Sequence, residues 1–150
     1  MLFRSVSLAI FAGIVFAAAA SGSHFMPGEW YVALNKPSWV PPNWVFPVVW
    51  TILYAMIAIA GWLVWRRAGW SSALAVWVVG LSLNALWSYV MFGRHEIGLA
   101  LGGIGALWLS IAAFIGLAWN LDRLAAYLFL PYLAWVTVAT ALNFEIWRLN

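Results

Sequence analysis

The sequence has no cysteine, four carboxylates and two histidines in 150 residues. Without cysteine there can be no disulfide, thiolate metal ligand or thiol nucleophile. Charged residues make up 7% of the chain, against about 25% in ordinary soluble domains, which excludes the soluble globular class. The seven cations are scattered along the chain. A nucleic-acid interface needs them clustered to neutralise phosphates, so nucleic acid is excluded as a partner. The four carboxylates, Glu29, Glu96, Asp122 and Glu145, lie outside the depths of the apolar runs, and no two are adjacent. Paired-carboxylate chemistry therefore has no foundation. No Ser-His-Asp order, phosphate loop or dinucleotide motif is present either.

What the chain does have is apolar length. It is 67% hydrophobic, with a mean hydropathy of +0.96. About 20 apolar residues cross the hydrocarbon core of a bilayer. Five such runs are predicted, at about 3–23, 45–65, 71–92, 97–119 and 124–147, making residues 1–150 a single transmembrane domain. The first run has two readings. Its one arginine, Arg4, and its small-residue end, Ala17 to Ser23, suit a signal peptide, while its length suits a membrane helix. The helix is preferred, because four further spans commit the chain to a membrane in any case. Asn120 and Asp122 are both suited to cap the fifth span. Pro131 should kink that span and leave a free carbonyl one turn earlier. The stripe Gly98, Gly102, Ala106 permits close helix contact, either within the monomer or in a dimer. The expected fold is an all-α membrane protein, a compact bundle of five helices.

The only long connection lies between the first two spans. Residues 29–50 contain four tryptophans and four prolines. Proline fixes φ and lacks an N–H, so no regular helix passes through Pro37, Pro41 and Pro42. A segment so rich in aromatics does not have a disordered composition, and connections this long in compact domains are usually functional. It reads as a lid, with Trp30, Trp39, Pro41 and Pro42 its chief residues. A short helix should open it, from Pro27-Gly28-Glu29 to about Leu34.

Polar groups inside the spans mark what the lid covers. Asn84 and Asn143 either tie helices together or line a cavity. Asn84 and Trp87 share one helix face, as do Trp50 and Tyr54, and Trp135, Ala139 and Asn143 form one stripe. Trp108, also near mid-span, should face the bundle interior, with a lipid-facing position as the alternative. Faces of this kind on three helices describe an apolar pocket with a few orienting polar groups, suited to a flat hydrophobic guest. His24 and His95 fall on the lid side and could meet, but two histidines make a weak metal site. One alone could ligate haem iron, although a solvated interfacial position is the simpler reading. Asp122 beside Arg123 reads as a helix cap and surface pair.

Several motifs then carry a resemblance. Trp30-Tyr31, Leu34-Asn35-Lys36-Pro37-Ser38-Trp39 and Pro41-Pro42-Asn43-Trp44-Val45-Phe46-Pro47-Val48-Val49-Trp50 resemble the first-loop signature of the TspO/MBR family. Leu83-Asn84-Ala85-Leu86-Trp87 resembles its third-helix motif. Leu130-Pro131-Tyr132-Leu133-Ala134-Trp135 and Ala141-Leu142-Asn143-Phe144-Glu145-Ile146-Trp147-Arg148 resemble its fifth. The resemblance implies a five-helix bundle in a bacterial cell envelope, usually a homodimer. It also implies no required cofactor. The implied ligands are porphyrins such as protoporphyrin IX or haem, other tetrapyrroles, sterols and isoquinoline-type drugs. By the same resemblance Trp50, Asn84, Trp87, Trp135, Ala139 and Asn143 match pocket positions, and Trp30 and Trp39 match the lid. Phe144 stands where the family's sterol pattern has tyrosine, which weakens the sterol expectation. Three functions follow from this reading. The chain is a tetrapyrrole-binding sensor or transporter, a light- and oxygen-dependent porphyrin-degrading enzyme using Trp50 and Trp135, or a membrane scaffold or regulatory subunit.

Overall fold

The computed structural model describes residues 2–23 and 28–150. His24 and Pro27 lie outside them, so the His24–His95 pairing and the proline start of the short helix do too. Among the described residues five helical stretches are long and apolar enough to cross a membrane. They are α1 (Leu2–Ser23), α3 (Val45–Ala68), α4 (Ser72–Ser88) continued by a π turn (Tyr89–Gly93), α5 (Ile97–Ala118), and α6 (Arg123–Leu128) continued by α7 (Leu130–Leu149). The short α2 (Glu29–Ala33) belongs to the long connection. At 1.5 Å per residue, a 22-residue helix is about 33 Å long, a bilayer core's thickness.

The spans close into a ring. Helix α1 packs on α3 and α4, α4 on α5, α5 on α7, and α6 back on α3. One core runs through the ring, built from buried residues such as Ile57, Val64, Ile104, Ile111, Phe114 and Val136. A second, at the lid end, gathers Tyr31, Val90, Met91, Ala100, Leu142 and Ile146. Between α3 and α4 a tryptophan ring packs directly onto a glycine. A Cβ at Gly61 would sit 2.5 Å from the Trp77 ring, and Trp77 Nε1 donates to Ile57 O at 2.9 Å. The stripe on α5 behaves differently. Gly98 lies against Trp147, whereas Gly102 has nothing within 4 Å of its would-be Cβ.

Local chemistry sets where the helices stop. Ser71 caps α4, its hydroxyl accepting from Leu74 N–H at 3.3 Å. Asp122 rather than Asn120 caps α6, accepting from Leu124 N–H and Ala125 N–H at 3.0 and 3.3 Å. Asp122 also faces Arg67 Nε at 3.5 Å. Its ionic partner is thus Arg67 across the bundle and not the neighbouring Arg123, which lies over the Trp119 ring. The fifth span breaks at Phe129, because Pro131 offers no N–H to the carbonyl four residues back. That carbonyl is not left free as expected. The Phe129 N–H turns to the carbonyls of Ala126 and Tyr127, and the Phe129 ring fills the break against Phe114, 4.1 Å between centroids.

The long connection is folded onto the lid end. Lys36 Nζ donates to the carbonyls of Tyr31, Leu34 and Val32 at 2.8, 3.2 and 3.3 Å, ending α2 as a cationic cap. Asn35 and Asn150 pair through two bonds, Asn35 N–H to Oδ1 at 3.1 Å and Asn150 Nδ2 to Asn35 O at 2.8 Å. The connection is thereby tied to the end of α7.

Candidate functional site

The site is built where α3, α4 and α7 face one another. Asn84, buried on α4, links the other two helices. Tyr54 on α3 donates its hydroxyl to Asn84 Oδ1 at 3.0 Å, and Asn84 Nδ2 donates to the Tyr132 hydroxyl on α7 at 2.7 Å. Around this bridge lie stacked and edge-on rings. Trp50 stacks on Tyr54 at 5.6 Å and meets Tyr132 and Trp135 edge-on at 6.3 and 6.5 Å. Phe46 meets Trp135 edge-on at 5.6 Å. Trp50, Tyr54, Asn84 and Trp135 are thus brought together, and Tyr132 and Phe46 join them. Sequence reasoning missed these two as site residues. Tyr132 lies three residues before Trp135, on the same helix face, and that spacing was the available signal.

Trp87 and Asn143 form a second pair nearer the lid. Trp87 Nε1 donates to Asn143 Oδ1 at 3.0 Å, and Asn143 Nδ2 donates to Ile97 O at 3.1 Å. Both asparagines therefore spend their amides on helix-to-helix bonds, the alternative use that their sequence positions left open. Ala139 is buried on the stripe between Trp135 and Asn143. Trp108 is half-buried and donates to Thr137 Oγ1 across α5 and α7 at 2.8 Å.

One polar group at the site is unsatisfied. Trp135 Nε1 is buried and has no hydrogen-bond partner, a costly state, because neither protein nor lipid supplies its N–H with an acceptor. Trp135 also lines an apolar groove of about 370 Å³ with Val49, Met56, Pro131, Ala134 and Val138. The groove lies between α3 and α7, where the break at Phe129 lets α7 diverge while α6 stays packed on α3. It opens sideways, towards where lipid lies, because Ile52 and Val138 on its walls are exposed.

The lid presents a different face from the one expected. Trp39 is 47% exposed, Pro42 is exposed and Pro41 half-buried. Trp30 stacks on His95 at 4.0 Å, with the rings 5° from parallel, and His95 is held at φ +59°. The inward residue is Tyr31. Its ring meets Phe92 edge-on at 5.8 Å and lies 4.7 Å from Lys36 Nζ. Burial pushes the Tyr31 phenol above its ordinary value, so it stays neutral. Among the described residues, no three His, Asp or Glu side chains gather as a metal site would require.

Five apolar spans around an aromatic, hydrogen-bonded cluster, with a proline-stiffened connection folded onto one end, define a class of multi-pass membrane proteins. The chain belongs to the TspO/MBR family, which it matches over residues 5–148. It is 44% identical to Protein CrtK of Rhodobacter capsulatus, over 97% of this chain and 95% of that one. It is 45% identical to the tryptophan-rich sensory protein of Cereibacter sphaeroides, over 89% and 85%. It is 41% identical to the human translocator protein, over 86% and 81%.

Proposed function

We propose that this protein binds flat, hydrophobic ligands of the porphyrin class in the groove beside the Trp50–Trp135 pair, as a membrane sensor or transporter. One observation carries the reading: Trp135, packed edge-on against Phe46 and Trp50, has a buried, unpartnered N–H and lines an aliphatic groove with one face of its ring. A guest bearing a hydrogen-bond acceptor would satisfy that donor once the Trp135 ring turns to bring the N–H to the groove. Its π face would gain stacking worth about 0.5–1.5 kcal/mol beyond area burial. The groove's volume of about 370 Å³ sits low in the usual range for ligand sites. A tetrapyrrole would therefore seat part of its face there and leave the rest in the bilayer. Sterols and isoquinoline-type drugs share the flatness but not the extended π system, and rank behind it. The relatives' names, a tryptophan-rich sensory protein and a translocator protein, fit this reading.

The test is titration of protoporphyrin IX into the purified full chain, followed by quenching of tryptophan fluorescence. Trp135→Phe keeps a ring but loses the donor, and should weaken binding by several-fold. Trp135→Ala removes the stacking face and should weaken it much further. Trp108→Ala, whose bond to Thr137 lies outside the groove, should lower stability more than affinity. If Trp108→Ala abolishes binding while a folded Trp135→Ala binds normally, the site is misplaced.

A second reading, light-driven porphyrin breakdown, draws on one observation. Trp50 meets Trp135 edge-on at 6.5 Å, so a second oxidisable indole stands directly behind the one that lines the groove. Loss of the bound porphyrin's absorption that needs both light and oxygen, and that the Trp50→Phe/Trp135→Phe variant lacks, would favour it.

A further inference from the structure

A larger groove, of about 730 Å³, lies at the opposite end of the bundle from the lid, between α1, the end of α3 and the start of α4. Its walls are apolar, with Ile10, Ile14, Leu74 and Val78 among them, and Arg4 and Arg66 stand at its mouth. Arg66 is held in place, and the helix that carries Arg4 is fastened beside it. Trp62 Nε1 donates to Ser7 Oγ at 3.0 Å, fastening α3 to α1, and the Arg66 guanidinium lies 4.6 Å from the Trp62 ring centroid. Neither arginine is in an ion pair among the described residues.

The charge around this mouth is one-sided. Of the ionisable residues at this end, Arg4, Arg66, Arg67 and Arg123 face a single carboxylate, Asp122. That carboxylate is taken by Arg67 and by the start of α6. At the lid end three cations match three carboxylates, so the whole formal net charge of +3 sits at the groove end. Trp65 and Trp70, both exposed, mark the level of the lipid headgroups. An apolar trough running into the membrane below a cationic mouth at headgroup level matches one chemistry, an acyl chain under an anionic phosphate.

We propose that this groove binds one anionic phospholipid of the surrounding bilayer, its phosphate between Arg4 and Arg66 and an acyl chain along Ile10, Ile14 and Val78. A second copy of the chain suits the groove poorly. A two-fold contact would bring the same unpaired arginines against one another. A zwitterionic headgroup carries a compensating cation that meets the arginines unfavourably. Each basic residue at a membrane surface strengthens attraction to anionic lipid about five-fold, so two should give a preference of roughly thirty-fold at most.

The experiment is native mass spectrometry of the delipidated full chain in detergent, with phosphatidylglycerol or phosphatidylcholine added at equal concentration. One phosphatidylglycerol should be retained, with about ten-fold preference or more. Arg4→Gln/Arg66→Gln should abolish the preference, while Arg123→Gln, outside the groove, should leave it intact. Ile14→Trp, at an exposed wall position, fills the trough without changing charge and should lower retention. Equal retention of the two lipids by the wild-type chain would overturn the proposal. So would an undiminished preference in the folded double-arginine variant, or efficient disulfide cross-linking of two Ile10→Cys chains with lipid retention unchanged.

Discussion

Replacing Asn84 with leucine tests whether the polar bridge organises the site. Leucine is close to asparagine in size, so the change removes hydrogen bonding while leaving little cavity. The Tyr132 hydroxyl, on a residue 2% exposed, loses its donor at 2.7 Å, and the Tyr54 hydroxyl loses its acceptor at 3.0 Å. Hydrogen bonds between membrane helices average about 0.6 kcal/mol and reach about 1.7. A buried hydroxyl left unpaired adds about 1–3 kcal/mol. Asn84→Leu should therefore destabilise the bundle by about 1–3 kcal/mol, a factor of roughly 5–150 in the unfolding equilibrium. Unfolding in mixed micelles at rising SDS fraction, followed by tryptophan fluorescence, reads this directly. The decisive comparison is Asn84→Leu/Tyr54→Phe/Tyr132→Phe. It leaves no polar atom of the bridge unsatisfied and should recover most of the loss. If the triple variant is no more stable than Asn84→Leu alone, the loss comes from packing and the bridge reasoning fails.

Three further outcomes follow from the geometry. Gly61→Ala places a Cβ 2.5 Å from the Trp77 ring and should cost about 1–3 kcal/mol by overpacking; an unchanged thermal midpoint in detergent would show that α3 and α4 can slide apart freely. Asn150→Ala removes the side chain that pairs with Asn35 and should free the connection from α7, raising proteolysis near residues 35–44 and speeding porphyrin release, while thermal stability falls by about 1 kcal/mol or less; unchanged cleavage would show that the lid is held elsewhere. Single cysteines at Arg67 and Ser38 should label from opposite faces of sealed vesicles, and labelling from one face would refute the five-span topology.

Much of the fold was legible in the sequence because a bilayer leaves the backbone few choices. An apolar run in lipid must satisfy its own N–H and C=O groups, so runs of about 20 residues become helices. The prolines of 37–42 forbid a helix there, and Asp122 and Pro131 placed a cap and a break in the fifth span. The family was legible too, through spaced motifs read in order. Which way each helix turns was less legible, because lipid and bundle interior are alike apolar, and hydrophobic pattern barely separates the two faces of a span. Rotation is settled by shape and by the few polar groups. Gly61 receives Trp77, Asn84 chooses Tyr54 and Tyr132, and Asn143 chooses Trp87 and the Ile97 carbonyl. The same packing turned Trp39 outward and Tyr31 inward, set Trp30 against His95, and left Trp135 with an unpaired N–H beside a lateral groove. The sequence by itself determined the helices, the connection over them and the family. The tertiary structure alone decided which side chains meet, because those contacts depend on helix rotation and on the divergence of α7 from α3, which no single helix encodes.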